Sequence, residues 1–548
     1  MTPVAVDYPS RERPAADVFL IAGILLAALT EAVAGTALSL GRNAISGDTH
    51  TTPDEFAWLD VGYTTFKMIG FIITPWLLTQ MKPRRLMIIA TLIMSLACGL
   101  AAMTTRLDLL VVLRIVQGLS GGILLVGGQA ILFLAYSRPL QPSLQAMFAM
   151  AAVVAPATIA PAFQGWLLDV HSWEWIFLWV VPFGLMAIAL LAGAETPIFP
   201  KPKSRPFDWM GFSLISVALF CASYVLSQGS RWDWLEEPFI FWLVSIGAMA
   251  LLAFLGQQST VGGRGLIDFS AFRSDDFAFA FIVSFVAGAA LFGSAYLIPT
   301  FAVSVLAFTP TEAGWLLLPS GGLFVGALIF VAYVVQRHGI PPFASVPFGI
   351  LMIMIAMWML SGSTSQSGAD DMMPAVLLRG LGLGFLFLSI TLIAFSNLSS
   401  ANLASGIGLF NTGRQLGGLM GVGGLQTLID HGVPGNMIVL GAQVTPGTPA
   451  LDERLTSVAA MLAAEGMENI AASRAAVSLF ARAVSGQSTV IAFDTAFNAV
   501  ALLFIVAAPL LVIIKIGLHK YAISKAARRR TAKQHQRIAR FRRSHLTG

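Results

Sequence analysis

The chain has 548 residues, 56% of them hydrophobic and only 11% charged, with a formal net charge of +5. A soluble chain carries about 25% charged residues, so this composition excludes a water-soluble body: too little polar surface is available to coat one. The positive surplus does not read as a nucleic-acid footprint, because eleven of the 33 Lys and Arg follow the last apolar run, from Lys515 to Arg543, where a basic segment sits against anionic lipid.

Taken in chain order, residues 1–16 are polar and contain proline, and the first apolar run continues far beyond the h-region of a cleavable signal peptide. They read as a cytoplasmic N-terminal tail. Apolar runs of about 20 residues, the length that crosses a bilayer core of about 30 Å as helix, then predict fourteen spans. Six lie at 17–40, 56–80, 86–104, 108–135, 144–168 and 173–193, and form an N-terminal bundle over 17–193. A linker, 194–276, carries two inserted spans at 209–228 and 238–257. A C-terminal six-helix bundle over 277–514 follows, with spans at 277–306, 311–335, 341–361, 373–395, 403–429 and 491–514. Between the last two runs a long outer loop, 431–490, has an Ala-rich stretch that favours helix and reads as an extracytoplasmic cap or docking surface, or as a tolerated insertion. Residues 515–548 are a basic cytoplasmic tail.

Loop charge sets the orientation. With these spans, 23 Lys and Arg lie in segments on the side of the two termini and six on the other, the remaining four falling within spans. Both termini are therefore placed in the cytoplasm of an inner-membrane, multi-pass protein. A repeat shows at Gln117-Gly-Leu-Ser-Gly-Gly122 in the fourth span and Arg379-Gly-Leu-Gly-Leu-Gly384 in the twelfth. These are the fourth helices of two halves in a plan of six, two and six. Repeated halves with a site between them are a common transporter plan, although small residues also serve close helix packing.

An ionisable group inside a span costs about 2.5–3.5 kcal/mol on insertion scales and normally faces a cavity or a partner. Glu31 lies midway along the first span. Asp60 and Lys67 lie seven residues apart on one face of the second, and Arg114 lies in the fourth. A buried carboxylate responds to desolvation and to nearby cations, as proton coupling requires. Glu31 is therefore the candidate proton carrier, Arg114 or Lys67 the partner that resets it, and Asp60 a second candidate; the alternative is a static ion pair that only fixes packing. Arg414, inside the glycine-rich thirteenth span, and its neighbours Asn411 and Gln415 are candidates for the central cavity. In the fifth span Pro156 and Pro161, followed by Gly165, predict a kinked helix suited to gating. No nucleotide-binding loop, metal-ligand cluster or nucleophile motif is found. The two cysteines fall inside apolar runs, the histidines are scattered in loops or at segment ends, and no cofactor, metal or enzymatic chemistry is expected.

At these residues a family becomes recognisable. The chain resembles the fourteen-span drug:proton antiporters of the major facilitator superfamily, the EmrB/QacA type, from about residue 17 to 518. Leu113-Arg114-Ile-Val-Gln117-Gly118 resembles its fourth-helix R-x-x-Q-G signature, and Ser172-Trp-Glu-Trp-Ile-Phe177 the opening of its sixth helix. Phe207-Asp208-Trp-Met-Gly211 and Gln228-Gly-Ser-Arg-Trp-Asp-Trp234 resemble the entry and exit of its inserted seventh helix, and Leu409-Phe-Asn411-Thr-Gly-Arg414-Gln415 its thirteenth. Three departures stand out. Thr30 lies opposite the family's first-helix Asp, with Glu31 one residue on. The fifth-helix G-P-x-x-G-G pattern reads Ala160-Pro161-Ala-Phe-Gln164-Gly165, and the loop after the second helix keeps almost none of its usual motif.

The resemblance implies a major facilitator fold and proton-coupled efflux of small amphipathic compounds by alternating access, with Arg114 in coupling; Gln117, Pro161 and Gln164 are further candidates for the substrate cavity or the gate. It also implies a possible periplasmic membrane-fusion adaptor and outer-membrane channel as partners, beside substrate, protons and lipid. An exporter or importer of one metabolite, such as a siderophore or organic acid, is the alternative; a membrane scaffold or sensor fits the intramembrane charges less well.

Overall fold

The computed structural model describes residues 14–195, 206–261, 265–444 and 447–544. Residues 1–13 of the N-terminal tail and 196–205 of the linker, both used above for sidedness, lie outside the described residues, as do the basic side chains from Lys515 onward. The described chain is helical throughout its apolar runs, because in lipid every backbone polar group must be satisfied within the segment.

The first half contains α1 (Pro14–Gly35), α2 (Ala37–Thr49), α3 (Pro53–Gln80), α4 (Pro83–Ala101) and α5 (Leu107–Ala135). Its fifth span is α6 (Gln141–Ala149), a π-helical stretch (Met150–Ile159) and α7 (Ala160–Val170); its sixth is α8 (Glu174–Leu178) with α9 (Val180–Gly193). The inserted pair is α10 (Trp209–Gln228) and α11 (Pro238–Val261). The second half contains α12 (Asp275–Ser304), α13 (Pro310–His338), α14 (Val346–Leu360), α15 (Ala369–Ser396) and α16 (Ser400–Gln443), then α17 (Pro449–Ala464) and α18 (Asn469–Ser544).

Thirteen of these segments are helices long and apolar enough to cross a membrane. The predicted thirteenth span is not among them, yet it is a continuous helix within α16. Its polar and glycine-rich face packs against α12, α18, α3, α10 and α5, so it presents less surface to lipid and needs fewer apolar residues. By contrast α11 is apolar all round and mostly lipid-facing: only 17% of its apolar window is buried.

Three predicted boundaries are corrected. The first span stops at Gly35, before the expected residue 40, and resumes as α2 after Thr36 leaves helical geometry. The fifth span, expected to kink at its prolines, carries a π-helical stretch enclosing Pro156, which accommodates the missing backbone donor. The outer loop is not a loop. α16 runs on to Gln443, α17 follows, and α18 begins at Asn469, well before the expected 491. The turn between α17 and α18 carries Gly466 at φ 99°, a conformation that favours glycine. The Ala-rich composition supports helix through α17 and the first part of α18.

The halves pack in matching ways. α3 lies along α5, and α13 along α15; α4 meets α9, and α14 meets α18. Glycines allow both fourth helices to approach closely. A Cβ on Gly118 or Gly122 of α5 would lie 2.1 or 2.2 Å from the carbonyl oxygens of Tyr63 or Lys67, and one on Gly380 of α15 would lie 2.2 Å from that of Ser320. Between the halves, α6, the π stretch and α7 pack along α13, and α16 packs against α3. α10 bridges α3 and α16.

Candidate functional site

Glu31 is the deepest carboxylate of the first half, 2% exposed. Small residues make its place: a Cβ on Gly121 of α5 would lie 2.7 Å from Glu31 Cγ, and one on Gly35 would lie 2.8 Å from the Tyr63 hydroxyl oxygen. Tyr63 Oη donates a hydrogen bond of 2.9 Å to Glu31 Oε1, and Lys67 Nζ forms an ion pair with the same oxygen. Lys67, one turn from Tyr63 on α3, retains 13% exposure. Of the two candidate partners of Glu31, the structure therefore brings Lys67 into contact.

Arg114 is joined to this cluster by a different route. Its guanidinium lies over the Tyr63 ring, 4.1 Å from the centroid. Nη1 donates to the carbonyl of Ala34 (2.8 Å) and to Gln117 Oε1 (3.1 Å). Gln117 Nε2 in turn reaches the Ala97 carbonyl on α4 at 3.3 Å. Arg114 Nε and Nη2 have no partner among the described residues. The result ties α1, α3, α4 and α5 around one carboxylate, with Tyr63 as the hub: its hydroxyl serves Glu31 and its face serves Arg114.

Asp60 lies on the same face of α3, half-buried, and joins none of these hydrogen bonds or ion pairs. Gln164 sits at the break after α1. Its Nε2 donates to the Val33 carbonyl (2.9 Å) and to Thr36 Oγ1 (3.0 Å), so the amide that departs from the family pattern satisfies a carbonyl freed where α1 ends. Pro161 faces α13, where a Cβ on Gly314 would lie 2.7 Å from its carbonyl oxygen.

The second cluster lies where α16 meets the first half. Asn411 Nδ2 donates to the Ile407 carbonyl (2.9 Å) and to Gln129 Oε1 of α5 (3.3 Å), and Gln129 Nε2 donates to Gln145 Oε1 of α6 (3.2 Å). Arg414 donates through Nη2 to Asn411 Oδ1. A chain of side-chain amides thus leads from Arg414 across the seam between the halves. Gln415 is half-buried and outside this chain. Arg414 also lies 4.8 Å from the Phe387 ring centroid and 5.9 Å from that of Phe410. It borders a small cavity of about 10 Å³, with Phe387, Phe410, Ser284 and Thr391 among its walls. Pockets for drug-sized ligands span about 300–1,000 Å³, so this conformation encloses room for about one water and none for such a molecule.

Hydrogen bonds cross the seam near both ends. On the face where α6 begins, Ser143 Oγ donates to Gln336 Oε1 of α13 at 2.5 Å. On the opposite face Thr311 Oγ1 donates to Asp169, and a Cβ on Gly165 would lie 2.5 Å from the Pro310 carbonyl oxygen.

Sequence reasoning missed Tyr63, Gln129 and Gln145. Tyr63 stands at helical spacing between Asp60 and Lys67, which is the signal that could have found it. The two glutamines were visible as isolated amides in apolar runs.

The Major Facilitator Superfamily family model matches residues 20–422. Among curated proteins, the chain is 24% identical over 516 residues to the colistin resistance protein EmrB of Acinetobacter baumannii, covering 93% of this chain and 98% of that protein. It is 26% identical to the multidrug export protein EmrB of Haemophilus influenzae, covering 74% and 79%. Against the Escherichia coli K12 protein of the same name it is 24% identical, covering 74% and 78%. Among solved structures, a bacterial homologue of the human lysosomal transporter Spinster, inward-facing and unoccupied, superposes with a TM-score of 0.57 at 12% identity, covering 93% of this chain and 99% of that one; this likeness concerns the fold.

Proposed function

Because the chain belongs to the major facilitator superfamily, we propose that it is a proton-driven exporter of small amphipathic compounds, of the EmrB type, working by alternating access of its two halves. The observation that carries this reading is the buried Glu31 carboxylate, shared by Lys67 and Tyr63 on α3. A group that gains or loses a proton there changes the attraction between α1 and α3, and α3 is one of the helices that meets the second half. The names of the relatives, multidrug export and colistin resistance proteins, support export.

In this reading both termini are cytoplasmic, Ser143 and Gln336 close the inner end of the seam, and Asp169 and Thr311 close the outer end. The α16–α17–α18 cap then stands outside the membrane, where a periplasmic adaptor leading to an outer-membrane channel would meet it. Crosslinking from α17 tests that contact.

The transport reading is tested in everted vesicles acidified inside. Adding substrate of the wild-type protein discharges the pH gradient. Glu31→Gln, which keeps the shape and loses the titrating group, is expected to bind substrate and release no protons. A Glu31→Gln protein that still couples substrate to proton release would refute the role of Glu31.

A further inference from the structure

The inserted pair lies beside the line along which α3 meets α16, one of the contacts between the two halves. Toward the end of α3 the two backbones touch: a Cβ on Gly408 of α16 would lie 2.4 Å from the Phe71 carbonyl oxygen. The connection from α11 to α12 covers that contact. Its Leu266 and Ile267 are 7% and 6% exposed. They share a crevice with Phe71 and Pro75 of α3 and with Ser405 and Gly408 of α16, too narrow to admit a water.

Beyond these two residues the connection is fixed to the second half. Its 3-10 turn, Phe269–Arg273, sets the Phe272 ring edge-on to Phe277 and Phe281 of α12, each 5.1 Å away between centroids. Asn402 of α16 donates to Ser270 Oγ of the same turn. Before α10 the chain is fixed to the first half instead: the Phe207 ring meets that of Trp76 on α3 edge-on, 4.7 Å between centroids. Asp208 joins the two attachments. Its carboxylate caps α10 at the Gly211 N–H (2.9 Å), and accepts from the Leu266 N–H (3.3 Å) and from the Gln257 and Gln258 side chains at the end of α11 (2.9 Å each). Leu266 and Ile267 are thus carried by the second half, seated on the first, and pinned by a carboxylate whose neighbour docks on the first.

We propose that Leu266 and Ile267 form a latch on this end of the seam, worked by the inserted pair from outside the two bundles. Seated, they bridge α3 and α16; the halves part there only when the pair leaves α3. Leaving exposes two aliphatic side chains to water, and each such burial favours the seated state by about tenfold or more. Asp208 is the pin: with the Leu266 N–H on its carboxylate, the latch is ordered before it seats, and seating costs less conformational entropy. The latch rests on the export reading for the rocking of the halves and for its side, the cytoplasmic one in that reading; the seated geometry stands apart from it.

The test reads distances in the purified full-length chain in nanodiscs. Spin labels go to Gln80→Cys and Ala401→Cys, exposed positions at the end of α3 and the start of α16; the native Cys98 and Cys221 are buried. The parent should show one short distance as its main population. Leu266→Ser/Ile267→Ser should add a longer one and raise the long-to-short ratio about tenfold or more. Leu266→Met/Ile267→Val, which keeps the pair apolar, should leave the ratio near that of the parent. Asp208→Ser can still cap α10 and is too short to hold Leu266, so it should raise the ratio in the same direction. In every variant, labels at Val170→Cys and Trp315→Cys, exposed positions at the far end of the seam, should not move apart. An unchanged ratio in Leu266→Ser/Ile267→Ser or in Asp208→Ser overturns the latch, even where thermal stability falls, because the pair then only fills space. Lengthening at both ends of the seam, or an equal shift in Leu266→Met/Ile267→Val, overturns it too. Proton release in vesicles is scored separately: the distance shift without proton release removes the export reading and leaves the latch, and proton release without the shift does the reverse.

Discussion

Glu31 Oε1 receives both Tyr63 and Lys67, so the worth of each partner depends on the other. Removing one member of a buried ion pair typically costs about 3–5 kcal/mol, because the remaining charge is left unpaired. Lys67→Met is therefore expected to lower thermal stability in detergent sharply, and the double variant Glu31→Gln/Lys67→Met to regain most of the loss; additive losses would show that the contact is not a pair. A carboxylate outside the spans provides a pH signal. Partial burial pushes Asp208 up. Hydrogen bonds from the Gly211 backbone N–H, Gln257, Gln258 and the Leu266 backbone N–H outweigh this and hold it below the usual carboxylate range. A depressed folded-state value contributes stability that is present above the ordinary aspartate pKa and lost as pH falls through the lowered one. Asp208→Asn should flatten that acid limb in thermal unfolding between about pH 5 and 2. At this scale the sequence made charges legible, since Glu31, Lys67 and Arg114 stand out in apolar runs. It did not show that Lys67 rather than Arg114 is the partner, because both side chains are long enough to reach Glu31 and only the way α1 and α3 each pack on α5 decides. Neutral groups such as Tyr63 and Gln129 carry no comparable penalty in a span and so no comparable signal.

Among elements, helix contacts depend on where a side chain is absent. Gly118 and Gly122 bring α5 onto the α3 backbone, and overpacking such a contact costs about 1–3 kcal/mol or more. Gly118→Ala and Gly122→Ala should each lower the unfolding temperature and the yield of monodisperse protein. Gly326→Ala, on α13 with open space around it, should do neither, and helix propensity favours it. Hydropathy made thirteen spans plain. It gave the weakest signal for α16, where the cavity-facing surface replaces the lipid-facing one. It also ended α16 and began α18 at the membrane boundary, since apolarity reports the bilayer and says nothing of helix that continues beyond it. The cap's helical composition was legible; its continuity with the spans was not.

At the scale of the whole molecule, the pairing of six helices with six follows from a repeat that the sequence carries only as short glycine patterns, whereas the state of the seam is not encoded in any one segment. Here a hydrogen bond crosses the seam near each end. Gly165→Leu places a side chain where α7 meets the Pro310 carbonyl and should hold that end of the seam apart. Spin labels at Val170→Cys and Trp315→Cys, two exposed positions flanking that contact, should then report a longer distance than in the parent; an unchanged distance would mean that the contact does not control closure. The same pair of helices, the fifth span and α13, carries both of these hydrogen bonds, at Ser143 with Gln336 and at Asp169 with Thr311. Between those points lies the π stretch, where a Cβ on Gly321 of α13 would meet the Thr158 hydroxyl at 2.4 Å. A wide turn there is held close to its neighbour. If the halves rock as proposed, that contact would serve as a fulcrum: the two arms of one lever would share it, and a tilt that freed one end would press the other shut.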